Sequence, residues 1–409
     1  MTLAEKGIQR IKWAGQDMPV LQNIITEFAQ SKPFANKKVV ACMHITTETA
    51  NLIHALSTGG AEVILCASNP LSTQDDVVAA LNNTLDKFYC YSYHGESKES
   101  YYQNIANALE CKPHFVLDDG CDCVNYLYSK RPDLLENVIG GTEETTTGVQ
   151  RLKALEKDCG LKYPIICVND AQTKHMFDNQ YGTGQSTLDG IIRATNTLLA
   201  GKTLVVAGYG WCGKGVAQKA RGMGCNVIVT EVDPIKALQA TMDGFSVKTM
   251  QMAAHLGDIF VTVTGNKNVI SGEHFARMKS GAIICNAGHF DAEIDLDTLN
   301  SISYEINVID SNITEYKTKN NHLYVLAEGR LVNLACAKGH PACVMDMSFA
   351  NQALSLEYLA KEKLENKLYS VPEEIDSKVS KYKLSSLNIV IDSLTYEQIK
   401  YVNSWKEGT

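Results

Sequence analysis

The chain has 409 residues, 45% hydrophobic and 21% charged, with a formal net charge of −8. That length exceeds one ordinary core and predicts two domains plus a tail, in a composition typical of globular proteins. The acidic balance argues against nucleic acid or an anionic membrane as partner, and no stretch approaches the ~20 apolar residues that span a bilayer.

The N-terminal stretch MTLAEKGIQRIKWAGQDMPVL carries Glu5 and Asp17 and lacks the apolar run of a signal peptide; its apolar residues predict an amphipathic helix. From residue 38 to residue 170, strands and helices alternate. KVVACM (38–43) reads as a buried strand, Glu48 to Leu56 as a helix stopped by Gly59-Gly60, and AEVILCA (61–67) as the next strand. KFYCYSY, a helix around Tyr102–Leu109, HFVLDD (114–119), a helix near Val149–Lys157 and YPIICVND (163–170) continue the pattern of a parallel sheet. Ligands of such sheets bind beyond the carboxyl ends of the strands. Those ends carry His44, Thr46 and Glu48, Ser68-Asn69, Asp118-Asp119 and Asn169-Asp170, which predicts one polar cleft.

A second α/β unit follows. Residues 186–199 and 213–223 read as helices, and TLVVAG (203–208), NVIVTE (226–231), DIFVTVTG (258–265) and AIICNAG (282–288) as strands. Residues 342–366 return to helix, and the last thirty or so residues read as a small separate element. The expected fold is α/β, with two doubly wound parallel-sheet (Rossmann-like) domains plus that C-terminal element. The expected boundaries are 1–181 with 341–375 for a discontinuous first domain, 182–340 for the second, and 376–409 for the element. Thirteen cysteines, scattered through strand-like runs, fit reduced thiols and a cytoplasmic location. Cys121 and Cys123 with His114 lack the spacings of a zinc site, so no metal is expected.

Gly208-Tyr209-Gly210-Trp211-Cys212-Gly213 matches G-x-G-x-x-G between a predicted strand and a predicted helix. Glycines there permit the tight turn and let a pyrophosphate reach the helix N-terminus. Glu231 ends the next strand; its carboxylate suits free ribose hydroxyls and repels a 2′-phosphate, so NAD is expected over NADP. The same stretch nearly matches a phosphate-binding P-loop, but Gly215 stands where that motif needs Ser or Thr. In the polar cleft, Lys174 could act as a base if desolvation or a neighbouring cation such as nicotinamide lowered its pKa. Asp178, four residues on, could orient it; a solvated Lys–Asp surface pair is the alternative.

Taken together, HITTETA (44–50), NPLSTQD (69–75), LDDGCD (117–122), EETTTG (143–148), VNDAQTKHMFDNQYG (168–182), AGYGWCGKG (207–215), TEVDP (230–234), NAGHFDAEID (286–295) and LAEGRLVNLACAKGHP (326–341) resemble the S-adenosylhomocysteine hydrolase family. The resemblance runs from near residue 3 to the C-terminus. It implies that the ribose 3′-hydroxyl of the substrate is oxidised with bound NAD, which acidifies the C4′ proton. Homocysteine is then eliminated, water adds, and the ketone is reduced again. Lys174 is similar to the family's base for the 3′-hydroxyl, supported by Asp178 and Asn179. Asp119 is placed for proton transfer at C4′ and C5′, His44 and His289 for the leaving group and water, and Glu144 for a ribose hydroxyl. Thr145, Thr146, Thr147, Thr264, Gly265, Asn333 and Lys236 match cofactor contacts beside Gly208, Gly210, Gly213 and Glu231. Thr46, Glu48, Thr49, Ser72, Gln74 and His340 match substrate contacts. Glu48 can accept from the adenine amine and Thr46 can donate to N1, which favours an adenosyl over an inosyl substrate.

Several positions depart from the family pattern. Thr183 stands where a cysteine often lies near the cofactor, so thiol sensitivity is not expected there. Trp211-Cys212 replaces Asp-Val in the glycine turn, and Lys236 replaces an Asn. The chain ends at Thr409 without the Lys- and Tyr-bearing tail of many relatives, which predicts looser NAD retention. The family implies a homotetramer acting on small molecules, with no nucleic acid and no membrane as partner. The alternative class is a non-catalytic NAD-binding regulator.

Overall fold

The computed structural model describes residues 1–406; the expectation about the chain end at Thr409 lies outside them. The strands β1 (Lys38–Cys42), β2 (Glu62–Cys66), β3 (Phe88–Tyr91), β4 (Phe115–Asp118), β5 (Gly140–Glu143) and β6 (Ile165–Cys167) come first. Next are β7 (Thr203–Ala207), β8 (Asn226–Thr230), β9 (Ser246–Val247), β10 (Ile259–Thr262) and β11 (Ala282–Asn286). Then come β12 (Ser303–Asp310), β13 (Ile313–Thr318), β14 (His322–Leu326) and β15 (Leu368–Ser370). They form two sheets, ordered β15-β6-β5-β4-β1-β2-β3 and β12-β13-β14-β11-β10-β7-β8-β9.

The first sheet is parallel throughout. Its β5 has the sequence GGTE, which carries no strand signal. Both glycines are buried and close-packed: a Cβ on Gly141 would lie 2.9 Å from the Val116 carbonyl oxygen. The second sheet departs from the all-parallel expectation. β12, β13 and β14 form an antiparallel meander on its edge, because SNI and KNN place tight turns between alternating segments.

In each sheet the strand order reverses about one strand, β1 in the first and β7 in the second. Helices leave such a strand on opposite sides, so a crevice opens at its carboxyl end. His44 follows β1, and Gly208 follows β7. The chain crosses between the sheets twice. The first crossing is a continuous helical rod, Gln172–Lys174, then a π-helical stretch His175–Gly182, then the α-helix Thr183–Thr195. The rod stops where Asn196 turns left-handed, short of the expected end at 199. The second crossing leads into the helix Ala342–Lys361, whose middle is buried on nearly every side.

The C-terminal helix Glu373–Ser386 runs through position 376, where a separate element was expected to begin. The Asp376 carboxylate accepts the backbone N–H groups of Gln172 and Thr173, at 2.7 and 2.9 Å, and so ties this helix to the start of the rod. Only the later helix, Tyr396–Val402, has no buried residue. Among the described residues no helix is long and apolar enough to cross a membrane.

Candidate active site

A cavity of about 970 Å³ lies between the carboxyl edges of the two sheets. Its nucleotide-like end is the glycine turn after β7. Gly208 has φ +104°, and a Cβ on Gly213 would stand 2.0 Å from the Gly208 carbonyl oxygen. Nothing lies within 4 Å of a Cβ built on Gly210, which leaves the N-terminus of the helix Trp211–Gly222 open to a ligand. Glu231 accepts the N–H of Tyr209 and of Val232, each at 2.7 Å, so its carboxylate locks this turn to the end of β8. Lys236 lines the same end and pairs loosely with Asp233 at 4.0 Å.

Trp211 does not crowd the turn. Its ring packs on His175 of the rod, with centroids 5.0 Å apart, and the Lys214 ammonium sits 4.7 Å from the indole centroid. Thr183 leaves the rod without a thiol at this point, but a neighbouring one is present. Cys212 Sγ lies 3.5 Å from Thr183 Oγ1, so the glycine turn supplies a thiol that the rod lacks. Burial pushes this thiol's pKa up.

The chemical end of the cavity is built around Lys174, buried at 4% exposure. Its ammonium donates to Asn179 Oδ1 at 2.8 Å and lies 3.4 Å from Asp178 and 3.6 Å from Glu144. Asn179 is five residues on, a spacing that the π-helical stretch brings onto one face together with the i+4 residue Asp178. Burial disfavours the ammonium, but the neighbouring negative charge, Asp178 foremost, outweighs it and holds Lys174 above its ordinary range. The lowered pKa expected from desolvation therefore does not hold for the protein alone. Asp178 faces burial as well, yet Lys174, His340 and Ser348 hold it ionised below the usual carboxylate range. Burial raises Glu144 to about 8, against the pull of Lys174. One ammonium thus balances one carboxylate, and the second acid keeps its proton.

The two histidines come from different sheets. His44 Nε2 lies 3.4 Å from one Asp119 oxygen, and His289 Nδ1 lies 3.8 Å from the other. Ligand-type atoms of these three residues fall within 4.8 Å of one another. Cys121 and Cys123 are instead buried in the core, and His114 Nδ1 accepts the N–H of Lys38 at 3.0 Å. Ser72 and Ser68 hold His44 Nδ1 at 2.8 and 3.1 Å, which turns Nε2 into the cavity. Burial lowers the His44 pKa from 6.5 to about 4. The unfolded chain binds this proton first, so stability should fall as pH drops from 6.5 towards 4. Thermal midpoints measured across that window should fall less steeply for His44→Asn; an unchanged slope would remove His44 as the source.

Thr46, Glu48, Thr49, Thr145, Thr146, Thr147, Thr264, Gly265, Asn333 and His340 all line the cavity. Gly213 is packed behind the turn against Gly208 and does not line the cavity, and neither do two expected substrate contacts. Ser72 is taken up in orienting His44, and Gln74 accepts from Arg10 at 2.5 Å. The N–H groups of Thr264 and Gly265 go to Glu293, which sequence reasoning passed over. It also passed over Ser348, Asn351 and Gln352, which bond Asp178, Thr173 and Glu144. Their signal was available: Ser348, Asn351, Gln352 and Ser355 form a polar stripe at helical spacing on an otherwise apolar helix.

The pattern of the family described as "S-adenosyl-L-homocysteine hydrolase, NAD binding domain" matches residues 179–339, and that of "S-adenosyl-L-homocysteine hydrolase" matches residues 1–132. The chain is 59% identical to the Adenosylhomocysteinase of Aquifex aeolicus, over 100% of this chain and 98% of that protein. It is 57% identical to the Adenosylhomocysteinase of a Nostoc species, over 100% of this chain and 97% of the other. It is also 53% identical to the S-inosyl-L-homocysteine hydrolase of Methanocaldococcus jannaschii, over 100% and 99%. In fold it is similar to a dipicolinate synthase structure from Bacillus halodurans, at TM-score 0.51 and 14% identity, over 81% of this chain and all of that one.

Proposed function

The chain belongs to the S-adenosyl-L-homocysteine hydrolase family, and on that premise we infer that it hydrolyses S-adenosyl-L-homocysteine reversibly to adenosine and homocysteine. One observation carries this reading beyond family membership. Lys174, Asp119, His44 and His289, which a plain dehydrogenase would not need together, meet in the cavity that holds the dinucleotide turn.

The turn fits NAD: its glycines leave no side chain where a pyrophosphate would approach, and Glu231 favours free ribose hydroxyls. When bound, NAD supplies reversible oxidation at the ribose 3′-carbon. In the proposed arrangement Lys174 takes the 3′-hydroxyl proton. A cation bound beside it lowers its pKa, and Asp178 and Asn179 hold its ammonium in place. Asp119 exchanges the C4′ proton. His44 and His289, on either side of it, serve the departing thiol and the incoming water. Protonated Glu144, held by Gln352, binds the ribose edge. Residues 1–181 with 341–375 would form the substrate-binding unit and 182–340 the NAD-binding unit.

Adenine is favoured over hypoxanthine. Glu48 is buried, and Thr47 donates to one of its oxygens at 2.9 Å, so it presents an acceptor to the purine edge. An opposing O6 acceptor would cost about 1–3 kcal/mol, or roughly tenfold in turnover. Thiol release should therefore be faster from the adenosyl than from the inosyl compound, without net NADH, in enzyme assayed with and without added NAD. Faster release from the inosyl compound would reverse the substrate assignment, net NADH would mean a dehydrogenase, and no turnover would mean a regulator.

A cytoplasmic homotetramer of the methyl cycle completes the reading. Its support is a C-terminal segment with large apolar side chains and no cover: Val390 is 95%, Ile391 68%, Tyr396 81% and Trp405 89% exposed. A second copy is the natural cover for such a patch.

A further inference from the structure

Gly120, which follows Asp119, is held on both sides, through its N–H and through its carbonyl. The Gly120 N–H donates to Glu143 Oε1 at 2.8 Å, and the Gly120 carbonyl accepts from the Arg151 guanidinium. The same Glu143 oxygen accepts the Thr145 N–H at 3.0 Å, so one carboxyl joins the loop after β4 to the loop after β5. Glu143 is fully buried and fills the space a side chain at Gly148 would take; a Cβ there would sit 2.1 Å from its carboxyl carbon. Its other oxygen is buried without a partner. Asp118, its register partner across β4 and β5, has both oxygens engaged by backbone N–H groups of Asp119 and Val124. Burial and these neighbouring acids push the Glu143 carboxyl well up, so it keeps its proton.

Arg151 extends the clamp. It pairs with Asp122 at 2.7 Å, and its guanidinium lies 5.3 Å from the ring centroid of Phe290, next to His289 on the loop from the second sheet. Gly120 itself, at φ +112°, abuts that loop: a Cβ there would meet His289 Nε2 at 2.2 Å.

We propose that Glu143 and Arg151 are positioning residues for Asp119, clamping the peptides on either side of Gly120 so that the Asp119 carboxylate stays between His44 and His289. This rests on Asp119 serving the C4′ proton, as assigned above. Neither residue bonds Lys174, whose partners are Asn179, Asp178 and Glu144, so the two halves of the reaction should separate.

The test is a single turnover of holoenzyme with S-adenosyl-L-homocysteine, following the absorbance of reduced nicotinamide and the release of homocysteine thiol in parallel. Glu143→Leu should leave nicotinamide reduction near the wild-type rate and slow thiol release about a hundredfold, the usual effect of a misplaced catalytic group. Glu143→Gln, which keeps the acceptor oxygen in a neutral side chain, should restore release. Arg151→Met, at a partly exposed position, should show the same split if Glu143→Leu does not fold. Equal loss of both steps in Glu143→Leu and Arg151→Met, or Glu143→Gln as slow as Glu143→Leu, would overturn the proposal. Asp119→Asn run alongside separates the two ideas. If it slows both steps alike, the assignment of Asp119 falls and the positioning role with it. If it splits them while the clamp variants do not, only the clamp falls.

Discussion

Lys174→Met is expected to lower thiol release on the order of 10³-fold while the protein keeps its fold and its NAD, since a positioned acid–base group contributes about 10²–10⁴. The methionine fills the same buried volume. Removing one partner of a buried ion pair commonly costs about 3–5 kcal/mol, because the other charge is left unpaired. Here Asp178 keeps His340 and accepts from Ser348 at 2.7 Å, and Glu144 already holds its proton, so the loss should fall well short of that. Thermal melting, bound-NAD content and thiol release together decide the matter. Activity within tenfold of the parent would rule Lys174 out as the base. A protein that neither melts cooperatively nor holds NAD would show that the ammonium is needed for folding.

Gly215→Ser is the second large effect expected. It would complete a P-loop pattern, G-x-x-x-x-G-K-S, yet it should create no nucleoside-triphosphate site and should damage the enzyme. A Cβ at this position would stand 1.8 Å from the Gln180 carbonyl oxygen, and one on Gly184 would stand 2.6 Å from Gly215. The cofactor helix and the rod that carries Lys174 therefore touch backbone to backbone, and no flexible side chain is there to yield. Overpacking of this kind costs about 1–3 kcal/mol or more, and the separation should loosen NAD as well. Thermal midpoint and NAD retention after gel filtration check it. Parent-like values for both would mean that the rod shifts freely, and the close contact would lose its significance.

The parallel sheet, the dinucleotide turn and most of the polar strand ends were legible in the chain. β1 and β2 are runs of apolar residues with turn signals after them, and G-x-G-x-x-G acts over six neighbouring positions. β5 was not legible, because GGTE has no strand propensity and is held by what packs on it. Ser72 and Gln74 sit in a segment that resembles substrate-binding ones. Which of them faces the cavity depends on Arg10 and His44, and neither does. Glu144 was placed at the site by the resemblance, but only packing shows what its neighbour Glu143 does: it faces the loops and holds Gly120 and Thr145.

By itself the sequence determined what short-range physics can settle: the alternation of elements, the glycine turn for a dinucleotide, the preference of Glu231 for free hydroxyls, and the polar character of the cleft. The tertiary structure decided what depends on distant chain segments meeting in low dielectric. It set the charge on Lys174, held up chiefly by Asp178 against a desolvation that alone would lower it. It brought His44 and His289 to either side of Asp119 from separate sheets. It also turned Trp211 onto His175, so that the residue least compatible with the cofactor turn instead joins that turn to the rod carrying Lys174.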